Sequence, residues 1–509
     1  MFPPGAFGVG VTIAALNPFL PDVSLPADVV QRPYRLGELL PVQRMTPEQK
    51  AANLQLVAEA EAQLAAFKAE LVVGLAADRP ARDDRQRGQV GAASGEWAAQ
   101  LLDEDVSEFF PDELALILNC SRAAATQLWE RSTTLLQRLP STWAALADGL
   151  LDWSRARAIA VELGWPARES PADVLAAVEA EVLPQATALS ITRLRALVRR
   201  ELIKADPAAA DRRRKRAERD ADVTVRGLGD GMGELRATMP YPEAAAMRAA
   251  VDAQAHALKR AGAERTIGQL RAAALSDRVI RPWQERSTVS AHVEVVASLD
   301  TLESAAAGAP AAGREPVLVD GEPVTAALAR ELLERLDALC PGGLQAPTDG
   351  TLSLSVTDQD GRLLAAVTRR ELETAVRRGT GLGCLPAVDR YEPTPAHRRY
   401  ARTRDRTCRQ PGCHNRAGWA DLDHVIPYAC GGQTECANLC CLCRRHHRLK
   451  THAEGWLYVM TIDGVLSVTT PSGVTRTSRP PGLRSGTLEM LRTYSERQPV
   501  PDDVDPAPF

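Results

Sequence analysis

The chain has 509 residues and a mass of 54.9 kDa, room for roughly two to four domains. Its 45% hydrophobic and 25% charged residues are ordinary for a globular protein and exclude wholesale disorder. The net charge of −4, from 61 basic and 65 acidic side chains, predicts no polyanionic partner by itself, and no apolar run is long enough for a membrane span.

The segment Met1 to Leu20 is apolar, but Pro3, Pro4 and Pro18 interrupt it and no Lys or Arg precedes Arg32. The basic start of a secretory signal is therefore missing, and a cytoplasmic location without membrane contact is expected. Ten cysteines in such a chain point to reduced thiols rather than a disulfide framework. Cys120, Cys340 and Cys384 are scattered and read as packing residues.

Residues 1–45 are punctuated by proline and read as a flexible arm. Thr46, Pro47 and Gln49 then form a helix start: an N-cap, a first-turn proline and the far side of a capping box. Leu54, Val57, Leu64, Phe67 and Leu71 follow at helical spacings, which predicts an apolar stripe packed against another helix. An intramolecular hairpin is the expected use of the stripe, with a homodimer through these N-terminal helices as the alternative. Residues 78–95 read as a polar loop. Pro111 to Leu163 is helical again, with Ser121 capping the second helix of a helix–turn–helix pattern that an ordinary bundle hairpin also produces.

Residues 193–219 are strongly basic, with Arg212 to Arg216 in a row, yet acidic neighbours favour a solvated helix face over a phosphate-binding ridge. A β-hairpin turning at Asp230-Gly231 follows, and its glycines lack the strand-to-helix context of a dinucleotide site. A helix over Tyr241 to Ala261, a strand over Ser287 to Ser298, an Ala/Gly/Pro linker over Ser304 to Pro316, and a second hairpin turning at Asp360-Gly361 complete the region. Residues 46–390 are thus expected to be a mainly α region with small β-hairpins and no catalytic pattern.

Chemistry concentrates further on. Between His397 and His452 eleven basic residues stand against four acidic ones, a net +7 inside an acidic chain, with six of the eight histidines and seven of the ten cysteines. Cys408-x4-Cys413 and Cys443-x2-His446 have the spacing of chelating pairs in a tetrahedral zinc site. Cys430, Cys436, Cys440 and Cys441 are surplus, and small apolar filler is the reading taken for all four. Within the intervening loop Leu422 and Val425 bracket a short strand in which Asp423 and His424 lie adjacent, and Leu442 to Lys450 begins a helix. A carboxylate beside a histidine, with a second histidine returning from a facing helix, is a minimal set for metal-assisted phosphodiester hydrolysis. Successive strand residues face opposite ways, so Asp423 and His424 can serve one phosphate only at a bent strand end or at its rim. His446 and His447 lie about 100° apart on a helix and should serve different metals, though spacing alone does not assign them.

Cys408-x4-Cys413, Asp423-His424-x2-Pro427, Gly431-Gly432, Asn438-Leu439 and Leu442-Cys443-x2-His446-His447-x2-Lys450 together resemble a zinc-containing HNH endonuclease module. Upstream, LQRLPSTWAALADGLLDWSRARAIA, the arginine-rich helix and YEPTPAHRRYARTRDRTC resemble the actinobacterial family that joins a helical domain of unknown function to such a module. The resemblance spans roughly residues 46–480. It implies a C-terminal ββα-metal fold over 391–480, with His424 as general base and Asp423 and His447 holding a catalytic divalent ion, Mg2+ or Mn2+ being the expected species. It also implies structural zinc on Cys408, Cys413, Cys443 and His446, with histidine standing where many relatives use cysteine. Asn438 would orient the hairpin loop or approach the metal.

The function expected is DNA phosphodiester hydrolysis. Arg398, Arg399, Arg402, Arg404, Arg406, Arg444, Arg445, Arg448 and Lys450 would grip the phosphate backbone. The alternative is a catalytically inactive, zinc-stabilised DNA-binding or assembly protein. A zinc-dependent thiol enzyme gives the basic surroundings no role. Residues 481–509 read as a mobile tail.

Overall fold

The computed structural model describes residues 42–84, 105–164, 167–229, 231–280, 295–296, 317–319, 322–335, 339–340, 343–344, 353–358, 361–379 and 385–483. Nearly all of the expected N-terminal arm and C-terminal tail, the Ala/Gly/Pro linker, part of the 78–95 loop, Cys384, Asp230, Asp360 and most of the strand expected at 287–298 lie outside the described residues. Two compact units are present: residues 1–209 with 353–509, and residues 210–352. Among the described residues no helix is long and apolar enough to cross a membrane.

The first unit begins with α1 (Pro47–Ala77). Its start is the expected capping box: Gln49 N donates to Thr46 Oγ1 at 3.2 Å and Thr46 N to Gln49 Oε1 at 2.9 Å. Its packing differs from expectation. The buried face is Ala62, Ala66, Ala69, Val72 and Ala76, while Leu54, Val57, Leu64, Phe67 and Leu71 point outward at 50–71% exposure. Small side chains let two helix axes approach closely, so α1 uses its alanines to pack inside the chain and leaves the larger stripe in solvent.

After α1 come α2 (Phe110–Leu118), α3 (Arg122–Arg138), α4 (Pro140–Ala147), α5 (Trp153–Leu163), α6 (Ala172–Ala186) and α7 (Ile191–Ala205). Ser121, Asp152 and Ser190 cap α3, α5 and α7 with side-chain oxygens. Leu135, Leu139, Leu146, Ile159, Leu163, Leu175, Leu194 and Leu202 fill the bundle core. In α8 (Pro207–Arg219) exposed Arg214 pairs with Glu218 at 2.6 Å, as a solvated basic helix requires.

The second unit contains the antiparallel hairpin β1 (Asp222–Gly229) and β2 (Met232–Thr238), then α9 (Tyr241–Arg260) packed on α10 (Ile267–Ile280). A small sheet of β3 (Val295–Val296), β4 (Val317–Val319) and β5 (Glu322–Val324) follows, with α11 (Ala326–Arg335) and the pair β6 (Leu339–Cys340) and β7 (Gly343–Leu344).

The chain re-enters the first unit with the hairpin β8 (Ser353–Thr357) and β9 (Leu363–Thr368), then α12 (Arg369–Arg378) and α13 (Pro395–Asp405). The antiparallel pair β10 (Asp421–His424) and β11 (Leu439–Leu442) leads into α14 (Arg444–His452), and β12 (Leu457–Met460), β13 (Leu466–Thr469) and β14 (Thr475–Ser478) form a three-stranded sheet. The protein is therefore mainly helical with small antiparallel sheets.

Helix α2 ties these parts together. Seven successive residues, Phe110 to Leu116, are buried, which an exposed or one-sided helix cannot achieve. Phe110, Leu114 and Ala115 join Val72, Ala76 and Trp129 of the helical bundle. Leu116 joins Cys408, Val425, Cys440, Leu442, Tyr458, Leu466 and Val468 of the C-terminal module. The expected boundary near residue 390 therefore does not separate two independent bodies, because one helix belongs to both cores.

Leu64→Lys on the outward stripe should leave the unfolding free energy within about 0.5 kcal/mol. Ala66→Leu on the packed face should lower it by about 1–3 kcal/mol through overpacking. Denaturant unfolding measures both, and the opposite ranking would refute the assignment of faces.

Candidate functional site

The C-terminal module gathers its cysteines by local turn chemistry. Cys408 N donates to Asn415 O at 2.7 Å and Cys413 N to Gln410 O at 3.0 Å, while Gly412 (φ 79°) supplies the left-handed residue that folds the Cys408–Cys413 segment back on itself. Cys443 stands at the N-cap of α14, and His446 lies one turn on. One donor atom from each of Cys408, Cys413, Cys443 and His446 lies within 4.8 Å of the others. His446 Nδ1 is 3.4 Å from Cys408 Sγ and 3.2 Å from Cys443 Sγ. Tetrahedral zinc, with its usual bond lengths, sets such an S···N pair about 3.6 Å apart, so the cluster can hold an ion of that size. The same crowding lowers the pKa of the Cys443 thiol through hydrogen bonds from Cys408 and Cys413.

The surplus cysteines lie elsewhere. Cys440 is in the module core, Cys441 packs on Ala401 and Ala417, and Cys436 packs on Leu363 and Tyr400. Burial pushes the thiols of Cys440 and Cys441 up and keeps them neutral. Cys430 departs from the filler reading: it is exposed, because the turn after Pro427 faces solvent.

A second constellation sits on the β10–β11 hairpin. Register pairs Asp421 with Leu442 and His424 with Leu439, and strand alternation puts Asp421 and Asp423 on one face and His424 on the other. His447 of α14 meets the acidic face: Nδ1 is 2.9 Å from Asp421 Oδ2, and Nε2 is 3.5 Å from Asp423 Oδ1. Burial pushes the Asp421 carboxyl up, but hydrogen bonds from His447 and Arg444 outweigh it and hold it below the usual carboxylate range. Asp421 thereby holds a proton on His447 Nδ1, and Nε2 faces Asp423 Oδ1. Asp423 Oδ2 is buried and accepts no hydrogen bond, with Lys450 Nζ an ion-pair partner at 2.9 Å. The same ammonium donates to His424 O at 2.7 Å, binding α14 to the end of β10.

His424 is 4% exposed and its tautomer is fixed by a relay. Thr434 Oγ1 donates its proton to Arg390 O at 2.5 Å, so it can only accept from His424 Nε2, 2.8 Å away. Nδ1 is left as the basic atom. Burial pushes this imidazole's pKa down, Asp423 opposes, Lys450 assists, and the net shift favours the neutral ring. Tyr391 stacks on the ring with centroids 5.4 Å apart. Asn438 spends its side chain on the loop: Nδ2 donates to Ile426 O and Gln433 O, and Oδ1 accepts from Ile426 N, at 2.8–3.0 Å. Gly432 permits that closure, since a Cβ there would lie 1.9 Å from Ile426 O.

The basic residues divide. Arg398, Arg402 and Arg444 are exposed, Arg444 pairing with Asp421 at 3.0 Å, while Arg399 pairs with Glu371 at 2.7 Å. Arg406 closes α13 at φ 54°. Four expected phosphate contacts are corrected, Lys450 among them, since Asp423 and the His424 carbonyl hold its ammonium. Arg404 is 5% exposed and donates to Asp405, Cys436 O and Leu439 O; Arg445 and Arg448 are engaged with Asp112 and Glu108. Buried acceptors consume these guanidinium groups, and the count of charges in sequence carries no sign of that. Sequence reasoning also missed Asp421, Thr434 and Trp419. Asp421 had a signal, since it stands two residues before Asp423 and so shares its strand face. Trp419 had none; it is 88% exposed just before β10.

Purified protein should carry about one tightly held metal ion per chain, read by elemental analysis. Cys413→Ser should lose it and Cys430→Ser should keep it. Retention in the first variant or loss in the second would place the ion on another set of thiols.

A family described as "Domain of unknown function (DUF222)" matches residues 51–338, a range that includes Asp112 and ends before the cysteine cluster. Uncharacterized protein Rv3776 of Mycobacterium tuberculosis (strain ATCC 25618 / H37Rv) is 30% identical over 389 residues, covering 72% of this chain and 70% of its own length. Uncharacterized proteins MT2160 (strain CDC 1551 / Oshkosh) and Rv2100 (strain ATCC 25618 / H37Rv) of the same species are each 43% identical over 98 residues, 19% of this chain and 18% of theirs. No solved structure matches. With more than half its length covered by that description, the chain belongs to the DUF222 family.

Proposed function

We propose that the protein is a divalent-metal-dependent HNH-type endonuclease that hydrolyses DNA phosphodiester bonds, acting in the cytoplasm. The observation that carries this reading is the joint setting of two histidines: His447 turns Nε2 toward Asp423, and His424, on the last residue of the same strand, keeps Nδ1 as a base. Asp423 and His447 would hold the ion, with Asp423 Oδ1 lying 3.5 Å from His447 Nε2. Mg2+ or Mn2+ there would neutralise charge on the phosphate and the leaving oxygen. The remaining steps belong to the chain. A phosphate across the rim of β10 meets both strand faces, which answers the alternation problem. His424 Nδ1 accepts the proton of the attacking water as its oxygen bonds to phosphorus, and the bond from phosphorus to the leaving deoxyribose oxygen breaks, that oxygen taking its proton from solvent water. Thr434 and Arg390 keep the ring in the tautomer that can accept. Arg398 and Arg402 offer exposed cations to the backbone, and Trp419 an exposed ring for a base to stack on.

A second reading, an inactive zinc-stabilised DNA-binding or assembly protein, is favoured by Lys450. Its ammonium already compensates Asp423 at 2.9 Å, where an ion would otherwise be needed. Nicking of supercoiled plasmid decides between them. The wild type should nick only with added Mg2+ or Mn2+, His424→Ala should lose about 10²–10⁴-fold, and Thr434→Val should fall between. Metal-independent binding with no nicking would establish the second reading.

A further inference from the structure

His446 is held on both edges of its ring. Nδ1 faces the sulfurs of Cys408 and Cys443, and Nε2 lies 3.1 Å from Oδ1 of Asp112, which is 334 residues earlier in the chain and 1% exposed. An imidazole that gives Nδ1 to a metal keeps its proton on Nε2. A carboxylate facing that proton fixes both the tautomer and the ring plane. Cations surround the carboxylate: Arg445 Nη2 and Nε reach Asp112 Oδ2 at 2.6 and 3.1 Å, Arg445 Nε also lies 3.4 Å from Oδ1, and Arg122 Nε approaches both oxygens at 3.4 Å. Asp112 thus faces the histidine with Oδ1 and takes its shortest cation contacts on Oδ2, and those charges make its burial tolerable.

Asp112 lies on α2, whose neighbouring residues are docked on the module as well. Arg445 Nη2 donates to Glu108 O at 2.6 Å, Arg476 Nε to Leu116 O at 2.9 Å, and Ser472 N to Glu113 Oε1 at 3.0 Å. Each contact joins the helical region to the segment that carries the cysteines.

We infer that the helical region completes the metal clamp: Asp112 is a positioning residue for the Cys408, Cys413, Cys443 and His446 site, so that metal uptake there and docking of α2 are linked. The inference rests on the metal-clamp reading and not on nuclease activity. Linkage is reciprocal: the factor by which docked α2 raises metal affinity is the factor by which bound metal favours docking.

The test uses the full chain and Zn2+ competed against a chromophoric chelator. Asp112→Asn should bind about 10–100-fold more weakly than wild type, the usual cost of losing such a partner. Arg445→Gln weakens the docking of α2 but spares the carboxylate–imidazole bond, and through the linkage it should bind more weakly than wild type by a smaller factor than Asp112→Asn. Equal affinity in wild type and Asp112→Asn would overturn the inference, and so would an equal loss in both variants, which would reduce Asp112 to a docking contact. Hydrogen exchange on the wild type alone gives an independent reading: stripping the metal should lower protection across 110–118, and unchanged protection would refute the linkage. A wild type that takes up no Zn2+ would instead sink the metal-clamp reading itself.

Discussion

The structure of the first unit depends on the burial of α2 between two cores. Its apolar side chains alone would make it an ordinary buried helix, but Asp112 and Glu113 are sealed with them at 1–2% exposure. A carboxylate removed from water is expensive, and it survives only where cations and donors surround it. Burial pushes the Asp112 pKa up; the hydrogen bonds from His446 and Arg445 and the Arg445 charge outweigh it and hold the carboxyl below its usual range. Glu113 is met by Arg79 at 2.8 Å and by the Ser472 backbone. The acid residues of α2 therefore specify which surface the helix accepts, while Leu116 and Phe110 supply the apolar contact.

The C-terminal module shows how adjacent residues are given separate tasks. His446 and His447 are consecutive on α14, yet one faces three cysteines and the other faces Asp421 and Asp423. The helical rotation of about 100° between neighbours produces that division. The two-residue period of β10 does the same for Asp423 and His424. Lys450 then spans the division, pairing with the carboxylate of one residue and the carbonyl of the next.

What was legible in the sequence is what short-range chemistry decides. The Thr46 capping box, the Ser121 cap, the hairpins over 222–238 and 353–368, and the cysteine cluster each involve residues close in sequence or at a spacing fixed by the metal. The stripe on α1 misled because hydrophobic spacing reveals a face without saying whether a closer-packing alanine face competes for the neighbour. The arginines misled for a related reason: charge counts do not reveal a buried carboxylate waiting hundreds of residues away. Asp112 was invisible on the same ground, since nothing near it in sequence hints at a histidine at position 446. Asp421 was within reach and passed over. Thr434 and Arg390 gain meaning only from the direction of a hydroxyl proton.

The double membership of Leu116 also bears on how such a chain can be cut or recombined. A fragment starting near residue 390 would carry an apolar socket lined by Val425, Leu442 and Tyr458 with nothing to fill it, and two guanidinium groups stripped of their acid partners. Grafting that fragment onto a foreign scaffold would require the scaffold to supply a leucine and two carboxylates at matching positions. The natural dissection of this protein is therefore to take out residues 210–352 as a unit, keeping residues up to 209 with those from 353 onward so that α2 stays with the segment it completes.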